Sequence, residues 1–254
     1  MSQYSVIRNK VLLLTVLVIF GGLTIPNVWI ESHIIGFAIV LILGGIPHGA
    51  SDYLIFRQIL NSENFRRRKL IFILYYCCII AAYGLLWWVY PLLAFSLFIL
   101  ISIYHFGQSN WQYARFPNVV WEKLSFLLWG ALVIALPVLI YYKEAALIIE
   151  EITGQYLHLE SFRSPVIFLI LATNFINTVY LFEHKAINKE HFQKELVNLI
   201  VLTALFASTP LLVGFGIYFV FWHALGAVLD QINMLKRFNQ HYSFRQYVGK
   251  LIPL

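Results

Sequence analysis

The sequence predicts an all-α fold, a polytopic transmembrane helix bundle of about eight spans with the N- and C-termini cytoplasmic. Three observations predict it. Of the 254 residues, 60% are hydrophobic and only 12% are charged, where a water-soluble domain carries roughly 25% charged residues. The apolar residues fall in runs of about 20, the length an α-helix needs to cross a hydrocarbon core. The basic residues gather in every second gap between those runs.

The first run, 11–31, follows Arg8 and Lys10. It is long for a secretory leader, lacks a small-residue cleavage site and is followed by more spans, so it reads as the first helix of the bundle. Further spans are expected at 33–56, 70–90, 91–114, 121–142, 164–183, 195–213 and 211–235. They leave 1–254 as a single transmembrane domain with no room for a separate soluble one. With the N-terminus inside, sixteen of the 18 Lys and Arg face the cytoplasm. They are Arg8 and Lys10; Arg57, Arg66, Arg67, Arg68 and Lys69; Arg115 and Lys123; Lys185, Lys189 and Lys194; and Lys236, Arg237, Arg245 and Lys250. Only Lys143 and Arg163 fall outside, a consistent positive-inside pattern that fits a multi-pass protein of a bacterial inner membrane. Membrane anchoring therefore accounts for the net charge of +6 without a nucleic-acid partner. The segment Tyr142 to Ser164 sets Ile148, Ile149, Ile152 and Leu157 among acids and is expected to lie as an amphipathic helix on the bilayer surface. The adjacent Cys77 and Cys78 are poorly placed for a mutual structural disulfide and read as packing residues.

Ionisable groups inside a membrane are costly and mark candidate sites. Five of the eight histidines, His33, His158, His184, His191 and His241, lie in expected loops or at span ends. His48, His105 and His223 do not. They precede Arg57, Arg115 and Lys236 by nine, ten and thirteen residues, which at about 1.5 Å per residue sets all three roughly 13–20 Å into their helices. One buried His is ordinarily satisfied by a backbone carbonyl. Three at a shared depth favour a transition metal, which offsets the cost of burying several imidazoles together. Closed zinc sites usually take Cys or a fourth protein ligand, and iron with open positions activates oxygen; depth alone does not choose between metals.

Each of the three lies in a distinctive stretch: GGIPHGASD around His48, YHFGQSNW around His105 and YFVFWH ending at His223. Pro47 and its flanking glycines interrupt a helix at bilayer depth, which is tolerated where backbone lines a cavity. Asp52 and Asp230 follow His48 and His223 on their own helical faces, and Asn174 and Asn177 reach a similar layer on the sixth span. These are candidate supports for a metal site, although Asp52 could pair with Arg57 and the amides could simply bond between helices.

In these segments the sequence resembles the Brp/Blh family of membrane-bound β-carotene dioxygenases, in motif order and helix placement, over most of the chain. The resemblance implies an Fe(2+) enzyme that adds dioxygen across the central 15,15' double bond of β-carotene to give two retinal, in a lipid bilayer. It makes His48, His105 and His223 iron ligands and catalytic residues; Asp52, Asp230 and Asn174 are candidate supporting groups by their placement alone and not through the resemblance. Two departures stand out. The family's last motif carries a second His one turn on, as WHxxxH, where this chain has Ala227 in WHALGAVLD. The chain also ends sooner after this helix than the resemblance leads one to expect, so a truncated C-terminus is part of the expectation. The alternative reading is a non-catalytic carotenoid- or retinoid-binding homologue with an incomplete metal site. A haem protein using two of the histidines, or a transporter suggested by the break at Pro47, would be further classes; a haem absorption band would mark the first, and no internal repeat supports the second.

Overall fold

Within hydrocarbon a chain has no water to satisfy its amides and carbonyls, so each must be paired internally, and the α-helix does this within one segment. The computed structural model describes residues 3–25, 37, 38, 42 and 65–238, and they are helical with short connections. The described elements are α1 (Gln3–Thr24), α2 (Phe65–Val89), α3 (Pro91–Asn110), α4 (Val119–Ile140), α5 (Tyr142–Thr153), α6 (Arg163–Glu183), α7 (Lys189–Ser208), α8 (Leu211–Ile217), a π-helical segment (Tyr218–Ala224) and α9 (Leu225–Phe238), with a 3-10 turn at Glu160–Phe162. Apart from residues 37, 38 and 42, the expected second span lies outside the described residues, and with it His48 and Asp52, as does the tail from 239.

Among the described residues, six segments are long and apolar enough to cross a membrane: Val6–Thr24, Arg67–Val89, Pro91–Asn110, Val119–Ile140, Glu160–Glu183 and Leu211–Lys236. Their outer surface carries large apolar side chains, with Trp88, Phe168 and Val120 each more than 70% exposed. Such a surface suits lipid and would be a severe liability in water. The helix expected at 195–213 is present as α7 but is not one of the six. It opens with Lys189, Glu190, Lys194 and Glu195, so its apolar length is short. It also stops at Ser208, because Thr209 takes an extended conformation (φ −128°, ψ 149°), as a residue before proline favours. A proline likewise sets the boundary between α2 and α3: Pro91, whose missing N–H costs nothing at a first helical turn, opens α3.

The surface segment after α4 is a helix, but a shorter one than expected, and a different stripe is buried. Tyr142, Ala145, Ala146, Ile149 and Thr153 face inward at helical spacing, whereas Ile152 is exposed. Gly154, at φ 70°, ends it in the left-handed conformation that glycine adopts without strain. Cys77 and Cys78 are both free and exposed on α2, in keeping with an outward, lipid-compatible face.

The core forms around α4. Trp129, Leu132 and Leu136 are fully buried there, and Trp111, Leu181, Leu202, Leu205 and Phe206 close over them from neighbouring elements. α3 and α4 are antiparallel and touch backbone to backbone at two reciprocal points. A Cβ placed on Gly107 of α3 would collide with the carbonyl of Phe126 on α4, and one on Gly130 of α4 would collide with the carbonyl of Ile103 on α3. Small residues let membrane helices gain close packing without a hydrophobic driving force between them. At the far ends of this pair the connections are tied together, since Arg115 N–H donates to the Ala186 carbonyl at 2.9 Å and Asn118 and Asn188 cap α4 and α7 through their side chains.

Gly107→Ala and Gly130→Ala should each destabilise the protein by about 1–3 kcal/mol, the usual cost of overpacking. Thermal unfolding in detergent checks this. Gly84→Ala, which adds a methyl with no neighbour within 4 Å, is the control, and equal melting points for all three variants would refute the close approach.

Candidate functional site

The last long helix is not regular. Between α8 and α9, the seven residues Tyr218–Ala224 (YFVFWHA) form a π-helix, closed by the Leu225 N–H donating to the Val220 carbonyl five residues back. π-helical geometry is rare and recurs at functional sites, where the wider turn re-aims side chains. Here it directs a run of aromatic residues and one imidazole into the bundle. Trp222 Nε1 donates to Thr15 Oγ1 at 3.0 Å, which ties the segment to α1 through a hydroxyl that is itself fully buried.

His223, at the end of this segment, is 3% exposed. The Phe106 ring meets it edge-on with centroids 4.5 Å apart, and Phe219 stacks at 5.9 Å. His105 lies beside it on α3, with ring centroids 5.0 Å apart and planes at 77°. His105 is exposed where His223 is buried, so the pair spans the boundary between interior and surface. Two of the three histidines singled out by depth therefore meet, and the third, His48, falls outside the described residues. Among those residues no group of three or more His, Cys, Asp or Glu is arranged to hold a metal ion. Two imidazoles can still share one ion. Ring nitrogens about 2.0–2.1 Å from a common metal put the ring centres roughly 4.5–5.5 Å apart, and the observed spacing falls in that range.

His223 opens onto a cavity of about 380 Å³. One wall is a stripe at helical spacing that runs from His223 in the π-helical segment to Ala227 and Asp230 on α9, so position 227 does share the face of His223. Tyr218, Trp129 and Trp222 line its interior. Its other end is formed where α1 and α7 begin and α3 ends, beside the first two turns of α9, and carries Arg8, His191, Lys194 and Asp230. Burial and the neighbouring Lys194 ammonium hold the His191 imidazole below its ordinary value, so at neutral pH that ring adds no charge.

Asn174 and Asn177 are buried but lie at the contact of α6 with α4. Asn174 Nδ2 donates to the carbonyls of Leu128 at 2.8 Å and Ile170 at 2.9 Å. Asn177 Oδ1 accepts from Ser125 Oγ at 3.0 Å. Neither lines the cavity; Asn174 spends its amide N–H and Asn177 its carbonyl oxygen on the helix interface, and Asn177 Nδ2 is buried without a hydrogen-bond partner among the described residues.

Sequence reasoning missed the most deeply buried carboxylate. Glu195 on α7 has no exposed surface. It accepts from Tyr113 Oη at 2.6 Å, Asn110 Nδ2 at 3.1 Å and Asn198 Nδ2 at 3.2 Å, and pairs with Lys194 Nζ at 3.4 Å. Lys194 also lies over the Tyr113 ring, on which His191 stacks from 4.0 Å. A buried charge is tolerable when paired and hydrogen-bonded to this extent. The network pins the end of α3, five residues beyond His105, to α7. The signal was partly present: Glu195 and Asn198 stand three residues apart on one face of α7, and Asn110 and Tyr113 are spaced alike at the end of α3 and in the turn after it.

With this geometry in place, the comparison with known families is decisive. Residues 38–254 match the family described as Beta-carotene 15,15'-dioxygenase. The chain belongs to that family. The matched range takes in His48, His105 and His223, so the dioxygenase family's region includes both the paired imidazoles and the π-helical segment. A relative named Beta-carotene 15,15'-dioxygenase, from an uncultured marine bacterium (66A03), is 28% identical over 189 residues, 71% of this chain. The chain spans 62% of that relative's length. No solved structure matches.

Glu195→Ala would leave two amides, a phenol and an ammonium facing a void, and should cost about 3–5 kcal/mol, as removal of one partner from a buried pair does. Glu195→Gln, which keeps the volume and one acceptor, should cost less. Thermal unfolding of both variants in detergent micelles checks the order, and an unaltered melting point for Glu195→Ala would contradict the network.

Proposed function

We propose that the protein is an iron(II)-dependent dioxygenase that cleaves β-carotene at its central 15,15' double bond to give two retinal. The observation that carries this reading is the meeting of His105 and His223 in an aromatic-lined site in a chain of the β-carotene dioxygenase family. The reaction balances without added electrons: one C=C and one O=O bond break and two C=O bonds form. Iron held by His105 and His223, with His48 as the third ligand, would supply activation of dioxygen. The chain's own residues do the rest. Phe106 and Phe219 pack against the buried His223 and keep water from it, and Trp129, Tyr218 and Trp222 offer ring faces and edges to a conjugated hydrocarbon. Asp230 and Ala227 lie on the cavity wall next to His223, where Ala227 leaves space for water or oxygen.

The same reading places about eight spans in a bacterial inner membrane with both termini cytoplasmic. It is supported by the distribution of Lys and Arg and puts the Arg8–Lys194–Asp230 end of the cavity at the cytoplasmic face. One observation favours a second reading, a carotenoid- or retinoid-binding homologue: Ala227 borders the cavity at the position where the family motif has its second His.

Expression in cells that make β-carotene separates the two. Loss of the orange colour with retinal recovered by chromatography is the expected result, and unchanged β-carotene bound to the purified protein would establish the binder instead. His105→Ala and His223→Ala should each lower retinal by at least about tenfold, since an under-coordinated metal is held loosely. Ala227→His, which adds an imidazole to the wall that already holds His223, should raise the yield if the ring joins the metal and lower it if it crowds the cavity, and an unaltered yield would mean that this face does not look at the site.

A further inference from the structure

The cavity beside His223 changes character along its length. From His223 through Ala227 to Asp230 the wall runs seven residues, about 10 Å along the helix, from aromatic surroundings to a charged end. Its volume, about 380 Å³, lies at the lower end of the range that holds a whole small ligand, and suits part of a larger one. At the charged end, Arg8 Nε is buried and has no acceptor among the described residues. Lys194 has Glu195 on one side and lines the cavity on another. Asp230 offers a carboxylate. Two positive groups, Arg8 and Lys194, stand against two negative ones, Glu195 and Asp230, with His191 neutral. Among the described residues these charges cancel, and none is left over to call for a carboxylate or a phosphate. A bare hydrocarbon ring seated here would strip water from these groups and return nothing. A neutral oxygen would accept from Arg8 and Lys194, and a hydroxyl would also donate to Asp230.

Resting on the carotenoid reading above, we infer that this cavity takes one arm of a carotenoid, with the central double bond at the His105–His223 pair and the end ring at Arg8, Lys194 and Asp230, and that the preferred substrates carry a hydroxyl or keto oxygen on that ring. Arg8 and Asp230 are then the specificity-determining residues, and Ala227 marks the smooth wall along which the arm lies.

The test compares β-carotene with its 3,3'-dihydroxy and 4,4'-diketo derivatives on purified protein in lipid nanodiscs. Cleavage is read as aldehyde formed, giving kcat/KM, and binding is read separately as quenching of tryptophan fluorescence, since Trp129 and Trp222 line the cavity. The oxygenated carotenoids should bind at least roughly tenfold more tightly and react in the same proportion, the discrimination that one hydrogen bond to a charged group supplies. Arg8→Met should bring the ratio for both derivatives towards one. Asp230→Asn should weaken the dihydroxy compound relative to the diketo compound. A merely structural loss would lower all three substrates alike. Equal affinities for all three in the unaltered protein would overturn the inference. A preference in binding without any cleavage would sink the dioxygenase reading and leave this one standing, and cleavage without preference would do the reverse.

Discussion

The contact on which the site depends is the one between the backbones of α3 and α4. Gly107 lies against Phe126 and Gly130 against Ile103, so two points of contact fix both the separation and the axial register of the pair. His105 and Phe106 precede Gly107 directly, and their positions follow from that register. Phe106 then reaches four rings on the last long helix, those of Phe215, Tyr218, Phe219 and His223. A methyl group at either glycine would push α3 outward, and the ring-to-ring spacing of His105 and His223 would widen with it. Packing is the main source of helix association in lipid, because the surrounding chains are as apolar as the helix faces themselves. A site built on close packing is therefore sensitive to a single added carbon.

Polar groups complete what packing begins. Glu195 gathers Asn110, Tyr113, Asn198 and Lys194 into one network, which holds the end of α3 against α7 just beyond the histidine. The Trp222–Thr15 bond does the same for the π-helical segment against α1. Each interaction is strong because the alternative is an unpaired polar group in an apolar interior. The asymmetry between the two ends of the cavity has the same origin. Glu195 is saturated by its neighbours, whereas Arg8, whose Nε finds no acceptor among the described residues, and Asp230 remain available to whatever enters.

Much of this was legible in the sequence. Composition and apolar run length gave helices and a membrane, and Pro91 marked the boundary between α2 and α3 because proline opens a helix more readily than it continues one. Depth arithmetic singled out His105 and His223, which the structure brings together. The failures have physical causes. Run length overextended α7, since apolar residues were counted across the Thr209–Pro210 break. The π-helical segment carries no local signature, because its hydrogen-bond register is decided by what the side chains meet on α1 and α3. Glu195 was read as the edge of a span, since Asn110 and Tyr113 come from the end of α3 and the turn after it, some 80 residues earlier, and only the fold brings them to it. Asn174 and Asn177 show the opposite case: singled out by depth, they serve the contact of α6 with α4 and not the cavity.

The central claim is that His105 and His223 hold one iron ion between them. Iron-edge X-ray absorption on protein loaded anaerobically with iron(II) tests it most directly. The account predicts a first shell containing at least two imidazole nitrogens at about 2.0–2.2 Å, with the imidazole contribution reduced in both His105→Ala and His223→Ala and intact in His158→Ala. An imidazole contribution that is the same in all three variants, or iron bound through oxygen alone, would contradict it.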